Sequence, residues 1–332
     1  MNKKISLKDI AAQAGVSVAL VSYVLNNQKQ GRINQETAQR IRDIAQALHY
    51  RTNQVAKSLK TKKTNTIGLI LADIANPFSS SLARIIEDEA DKNGYIVIFG
   101  SSDENEQKFQ RLVDTFLTKQ VDGLILSPPE GSEEQIKYLL KQQIPFVLLD
   151  RYFPDLKTNY VVLDNFGASA MAVEHLINTG RKRIGMITYK TTLEHLLQRE
   201  KGFAVTMKSY KTGFEKSWIK RIGTDHFEKH LDIALTGFLE AEKRFDALIL
   251  GSNTIASYVL RRINTLPVKV PRDIAILSFD QAEILDLFYA PVTHIRQPLR
   301  EMGQLATRVL LDNLGKQSLI TQMEMKAELI IQ

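Results

Sequence analysis

Apolar positions recur on two different periods along the chain, and the change of period divides it. From Leu7 to Tyr50 they return every three or four residues: Leu7, Ile10, Ala11 and Ala14, then Leu20, Val21, Val24 and Leu25, then Ala38, Ile41, Ile44, Ala45 and Leu48. This spacing puts each set on one face of a short helix. Ser6, Ser17 and Asn34 stand at the helix starts, where a side-chain oxygen can take up free backbone N–H groups, and Asp9 can return the bond to Ser6. Gly15 supplies a tight turn and Val16 anchors it, leaving Val18, Ala19, Ser22 and Tyr23 on the outer face of the second helix. Two short helices joined by a Gly turn form the unit whose second helix enters the major groove of DNA. An ordinary helical hairpin has the same apolar spacing.

From Thr66 the pattern becomes continuous apolar runs separated by helical stretches. Strand-like runs stand at Ile67–Leu71, Tyr95–Phe99, Gly123–Leu126, Phe146–Leu149, Tyr160–Leu163, Ile184–Ile187, Ala247–Leu250 and Ile274–Leu277. Between them Ser79–Lys92, Gln107–Thr118, Ala168–Asn178 and Ala256–Ile263 read as helices. Strands that are apolar throughout and alternate with helices imply parallel sheets covered on both faces. About 265 residues of such sequence exceed what one sheet needs, so two α/β lobes are expected. Ligands of such sheets bind beyond the carboxyl ends of the strands, and between two lobes where there are two.

Charge separates the same two regions. Met1 to Lys63 holds twelve Lys or Arg against three Asp or Glu, while the rest of the chain holds 32 against 34. A basic module on a slightly acidic body is the footprint of a polyanion binder, because each neutralised phosphate releases condensed counterions. A flexible basic tail would share that charge but not the helical periodicity. Arg51 to Thr66 carries Asn53, Lys57, Lys60, Lys62 and Lys63 around Val55, Ala56 and Leu59. A helix there is too short and too charged to hold itself together in water and should order only on binding.

Other chemistry finds little support. No run of about 18 apolar residues is present for a membrane span, and the start lacks the apolar core of a secretory signal; cytoplasm is favoured, with no membrane partner. The chain has no cysteine, hence no disulfide and no thiolate metal site. Walker and Gly-rich phosphate loops and a serine nucleophile elbow are missing. His226 and His230 are four apart but lack the glutamate of a zinc protease, and read as a solvated helix face. Glu87, Asp88 and Glu89 are consecutive and so splay around a helix instead of facing each other. No enzyme activity, cofactor or metal is expected.

The residues also resemble a known family. Leu7-Lys8-Asp9-Ile10-Ala11, Ala14-Gly15-Val16-Ser17, Val21-Ser22 and Val24-Leu25-Asn26 are similar to the headpiece of the lactose-repressor (LacI) family of bacterial transcription regulators. Asn53 to Leu59 followed by Ile67-Gly68-Leu69 resembles its hinge and first strand. Further matches include Asn76-Pro77-Phe78, Asp150-Arg151, Asp164-Asn165, Arg199 with Gly202-Phe203, Phe279-Asp280 and Gln297-Pro298. The resemblance covers essentially the whole chain.

It implies an α/β fold: a three-helix helix-turn-helix headpiece (1–50), a hinge helix and linker (51–65), and a two-lobed body like periplasmic binding proteins (66–332). The chain should cross between lobes three times, with about 66–163 and 295–322 in one lobe and about 164–294 and 323–332 in the other. The implied DNA-binding set is Ser6, Ser17, Val18, Ala19, Ser22, Tyr23, Asn26, Lys57, Leu59 and Lys60. Tyr23 stands where the family often has arginine, so the forked contact to guanine is lost and the operator should differ. Leu59 matches the hinge leucine that the family wedges into the minor groove.

The implied effector set is Phe78, Arg151, Arg199, Asn253 and Asp280. An aromatic face, guanidinium and carboxylate suit a sugar or sugar derivative. Asn253 replaces a common aspartate, which beside two arginines points toward a sugar acid or sugar phosphate. The expected protein is a cytoplasmic homodimeric repressor on double-stranded operator DNA, under small-molecule control. A transport-type sugar-binding protein, a sugar-processing enzyme and an RNA-binding regulator are the alternatives. The first lacks a signal and would carry no basic headpiece, the second lacks a placed acid and base, and a groove-reading helix suits B-form DNA better than RNA.

Overall fold

The computed structural model describes residues 5–26, 32–50, 63–242, 244–315 and 320–332, and residues 1–64 and 65–332 form two compact units. In the first, α1 (Leu7–Ala14), α2 (Val18–Leu25) and α3 (Gln35–Ala47) enclose a small core of Ile10, Ala14, Val21, Val24, Ile41 and Ala45. Each helix starts on the expected residue. The Ser6 backbone N–H and hydroxyl both donate to Asp9 Oδ2, at 2.8 and 2.6 Å. Leu20 N–H donates to Ser17 Oγ at 3.2 Å, and Glu36 N–H to Asn34 Oδ1 at 2.8 Å. Gly15 takes φ 65°, a left-handed conformation that costs a residue without a Cβ little, and α1 and α2 turn by 107°. Leu20 and Leu25 are only half-buried, at the edge of the core.

The second unit runs β1 (Thr66–Leu71), α4 (Pro77–Lys92), β2 (Ile96–Ser101), α5 (Glu106–Thr118), β3 (Gly123–Leu126), α6 (Glu133–Lys141), β4 (Phe146–Leu149) and β5 (Tyr160–Leu163). There follow α7 (Asn165–Asn178), β6 (Ile184–Tyr189), α8 (Glu194–Ser209), β7 (Ile219–Ile222), α9 (Phe227–Leu239), β8 (Ala247–Leu250), α10 (Asn253–Ile263), β9 (Ala275–Phe279), α11 (Glu283–Leu287) and β10 (Thr293–Arg296). The unit closes with α12 (Leu299–Asn313), β11 (Gln322–Met325) and β12 (Glu328–Ile330).

The strands make two six-stranded sheets, ordered β11-β5-β4-β3-β1-β2 and β12-β10-β9-β8-β6-β7. All pairings are parallel except β10 with β12. Period-two alternation explains why the runs read as continuous: Ile67, Leu69 and Leu71 face α4 and α12, while Ile70 faces α5 and α6 with Leu124 and Leu126. The second lobe has one large core spanning both faces of its sheet.

The chain changes sheet three times: after β5, between β10 and α12, and between β11 and β12. Two of the crossings fall two or three residues later than the expected 295 and 323. Strand β10 stays in the second sheet through Arg296, and β11 pairs with β5 through Met325. Helices begin earlier than their apolar periods indicate, because polar caps extend them by up to a turn. Asn76 accepts from Phe78 N–H (3.0 Å), Asp164 from Gly167 N–H (2.7 Å) and Ser252 from Ile255 N–H (3.2 Å). His226 lies in a left-handed conformation just ahead of α9, so the expected shared helix face of His226 and His230 does not form. Among the described residues no group of three or more His, Asp or Glu could hold a metal, and no single helix is long and apolar enough to cross a membrane.

Candidate functional site

Helix α2 presents its outer face as the apolar period requires. Val18 and Ala19 are exposed, and Ser22 and Tyr23 are half-buried. Ser6 and Ser17 are exposed at the two N-caps, so their hydroxyls serve the helix ends first. Asn26 finishes α2 by donating its amide to Ser22 O at 2.8 Å. Lys57, Leu59 and Lys60 lie outside the described residues.

In the body, Phe78, Arg151, Arg199, Asn253 and Asp280 all line one cleft of about 540 Å³ between the two sheets' lobes. Its walls come from the carboxyl ends of strands in both sheets. Asp73, Glu104, Ser127 and Asp150 follow β1 to β4, Tyr189 ends β6, and Thr224, Ser252 and Asp280 follow β7 to β9. Phe78 sits in the first turn of α4 and Asn253 opens α10. Arg199 lies in the second turn of α8, which begins at Glu194.

The charged floor of the cleft is almost dry. Arg199 is 3% exposed. Its Nε donates to Asn165 Oδ1 and its Nη1 to Gly251 O, both at 2.8 Å, and its Cζ lies 4.3 Å from the Phe279 ring centroid. Asp280 Oδ2 is 4.0 Å from Nη1, and Asp280 Oδ1 accepts from Gln297 Nε2 at 2.6 Å. Gly202, one turn along α8, lets this helix close on α7: a Cβ there would stand 2.3 Å from Phe166 O.

Arg151 makes a forked pair with Glu104, Nη1 to Oε2 at 2.7 Å and Nη2 to Oε1 at 2.6 Å. Burial works against the Arg151 cation, but Glu104, Asp150 and Glu130 outweigh it and hold its pKa above the ordinary value. Beside it, burial pushes the Asp150 carboxyl up to about 6; Arg151 and Arg199 oppose that rise, and Asp280 adds to it. His195, also buried, is pushed well below its ordinary value by burial and by the two arginines.

Polar contacts join the lobes across the cleft. Asn253 Nδ2 donates to Asn76 Oδ1 at 2.7 Å. Glu130 accepts from the Thr192 N–H and hydroxyl, both at 2.6 Å, and from the Thr191 hydroxyl at 3.1 Å. Burial pushes the Glu130 carboxyl up, but these hydrogen bonds more than offset it, leaving its pKa below the ordinary value.

The cleft's charge does not follow from Asn253 alone. Six carboxylates, Asp73, Asp103, Glu104, Glu130, Asp150 and Asp280, line the cleft against Lys190, Arg151 and Arg199. Replacing one aspartate by Asn253 does not make such a cleft basic, because Glu104 already neutralises Arg151. Glu104, Glu130, Asp150, Asn76, Asn165, Tyr189, His195 and Gln297 were all outside the expected effector set. Most of them follow a strand end, and that position was the available signal.

Comparisons with known proteins match both regions. Residues 6–53 match the family described as bacterial regulatory proteins, lacI family. Residues 67–229 match the periplasmic binding protein domain and 173–332 the periplasmic binding protein-like domain. The chain is 30% identical over 316 residues to catabolite control protein A of Priestia megaterium, covering 95% of this chain and 94% of that one. It is 28% identical over 314 residues to the ribose operon repressor of Haemophilus influenzae, covering 93% and 92%. In fold it is similar to the lac repressor dimer bound to operator and the anti-inducer ONPF, with a TM-score of 0.84, 21% identity and coverage of 99% and 98%.

Proposed function

Since the chain belongs to the lacI family of bacterial regulatory proteins, DNA-binding transcriptional regulators, we propose that it is a cytoplasmic homodimeric repressor whose operator affinity is set by an uncharged sugar bound between its lobes. The observation that carries the effector half is the convergence of five separate segments, bearing Phe78, Arg151, Arg199, Asn253 and Asp280, on one cleft. An aromatic face with paired donors and acceptors suits a polyhydroxylated ring, since each hydroxyl both donates and accepts. The excess of carboxylates supports an uncharged ligand over a sugar acid or sugar phosphate. D-ribose is the first compound to try, because ribose operon repressors stand among the relatives.

On the DNA side, α2 would lie in the major groove with Val18, Ala19 and Tyr23 at the base edges and Ser6, Ser17, Ser22 and Asn26 toward the backbone. Lys57, Leu59 and Lys60 complete the proposed set in the hinge. Two headpieces on a two-fold operator require a dimer. Effector binding would shift the population of body conformations, and with it the geometry of the two headpieces.

The test is selection of an operator from randomised DNA with the full chain, followed by anisotropy titration of that operator with and without neutral sugars. A sequence-specific site whose affinity changes at least tenfold with one sugar, in either direction, is the expected result. Absence of sequence preference would sink the repressor reading. Indifference to every uncharged sugar, with a response to a charged one, would sink the effector class.

A further inference from the structure

We propose that Glu104 sets the charge preference of the cleft: by occupying the Arg151 fork it turns an arginine suited to anions into part of a hydroxyl-binding surface. The proposal rests on the cleft being the effector site. It assigns the exclusion of anions to one residue.

The geometry is specific. Both terminal nitrogens of Arg151 are spent on the two Glu104 oxygens, and Nη1 also reaches Pro128 O at 3.3 Å. The paired carboxylate occupies the same fork that would grip a phosphate or carboxylate of a ligand. Glu104 is held in place from behind. It sits after β2 in a two-residue left-handed turn, Asp103 at φ 51° and Glu104 at φ 55°. Its N–H donates to Ala72 O at 2.9 Å, and Asn105 immediately afterwards caps α5. The Arg151 side chain is 12% exposed and the Glu104 side chain 47%, so the carboxylate is the more open partner.

Two consequences follow. A ligand anion near Arg151 meets a carboxylate already in the fork, with Asp150 Oδ2 only 3.7 Å from Arg151 Nε, so like charges confront it. A hydroxyl meets no such repulsion. A carboxylate has about four lone-pair sites, and the fork with Arg151 uses two, so Glu104 can still accept from a sugar hydroxyl. Specificity of this kind comes from a group placed against the wrong ligand as much as from contacts to the right one.

The test uses the full chain at fixed ionic strength, with inorganic phosphate and D-ribose 5-phosphate as anionic probes, read by calorimetry. Glu104→Ala frees the fork, and Glu104→Gln keeps its size and one hydrogen bond while removing the charge. Both variants should bind the two anions at least tenfold more tightly than the wild type, with Glu104→Ala gaining more. The gain should vanish in Glu104→Ala/Arg151→Gln. That double variant separates the cleft from phosphate binding by the basic N-terminal region. Equal anion affinity of wild type and both single variants would overturn the proposal, as would a gain that survives loss of Arg151. Circular dichroism checks folding. Should Glu104→Ala fail to fold, Glu104→Gln with and without Arg151→Gln decides alone. Neither operator nor effector enters the measurement, so its failure is distinct from failure of the sugar assignment.

Discussion

Replacing Asp150 by asparagine should stabilise the body at neutral pH and lose that advantage in acid. Asp150 is 6% exposed, and burial pushes its carboxyl up to about 6 from the ordinary 3.8, with Asp280 adding to the rise. A folded-state pKa above the unfolded one means that the folded chain holds the proton more tightly. The favourable contribution is therefore complete below pH 3.8 and disappears as pH rises through 6. Above that window the buried charge costs the fold the whole difference, about 3 kcal/mol for about two pKa units. At pH 4.5 the same relation leaves about 1 kcal/mol.

An asparagine in place of Asp150 would carry no charge at any pH. Its backbone penalty is small, because Asp150 sits at φ 68°, where asparagine is among the residues best tolerated. At roughly 2 °C per kcal/mol for a chain of this size, Asp150→Asn should melt about 6 °C higher than the wild type at pH 7.5 and about 2 °C higher at pH 4.5. Thermal melts of both full-length proteins across that range measure the difference, in which titrations common to the two cancel. A difference that is constant with pH, or that grows toward acid, would refute the assignment of a buried, only partly compensated charge to Asp150.

Three further outcomes are expected. Gly202→Ala places a methyl 2.3 Å from Phe166 O, a backbone atom, so α7 and α8 must move apart; denaturant unfolding should show a loss of about 1–3 kcal/mol. Glu130→Ala removes all three hydrogen bonds to Thr191 and Thr192; because the chain has no native cysteine, a pair of spin-labelled cysteines, one on an exposed position of each lobe, should report a longer or broader separation than in the parent, and an unchanged distribution would show that the contact does not hold the cleft. Tyr23→Arg should move the selected operator toward guanine at one position per half-site by roughly 1–3 kcal/mol, and identical selected sites would remove Tyr23 from the base-reading set.

Local chemistry made the helical unit legible down to its caps. Ser6, Asp9, Ser17 and Asn34 act within three residues of themselves, and Gly15 answers a purely local need for a left-handed turn. The sheets were legible because apolar runs of four to six residues have few other uses, although their helices begin earlier than the apolar period reveals. Crossings were less sharp. Which sheet holds Arg296 or Met325 depends on pairing with Glu328 and Leu163, far away in sequence. In the cleft, Arg199 and Asp280 stood out by resemblance, whereas Glu104 and Glu130 offered only their place after a strand end. One is an acid in the turn after β2 and the other lies in the loop after β3, and only the fold brings them to Arg151 and Thr192.

The topology supplies the missing signal for Asp150. Counted from the β2 and β7 edges, the two sheets have equivalent orders, and β4 and β9 occupy the same fourth place. Each is followed at once by an aspartate at φ 68°, Asp150 in one lobe and Asp280 in the other. The same local solution, used twice, points two carboxylates into one cleft, and their charges then have to be resolved. Asp280 is served by Gln297 at 2.6 Å and by Arg199 at 4.0 Å. Asp150 has Arg151 at 3.7 Å, whose terminal nitrogens are committed to Glu104. The compensation is therefore unequal: burial raises the Asp150 carboxyl, Arg151 and Arg199 only partly oppose it, and Glu104 competes for the nearer of those two cations.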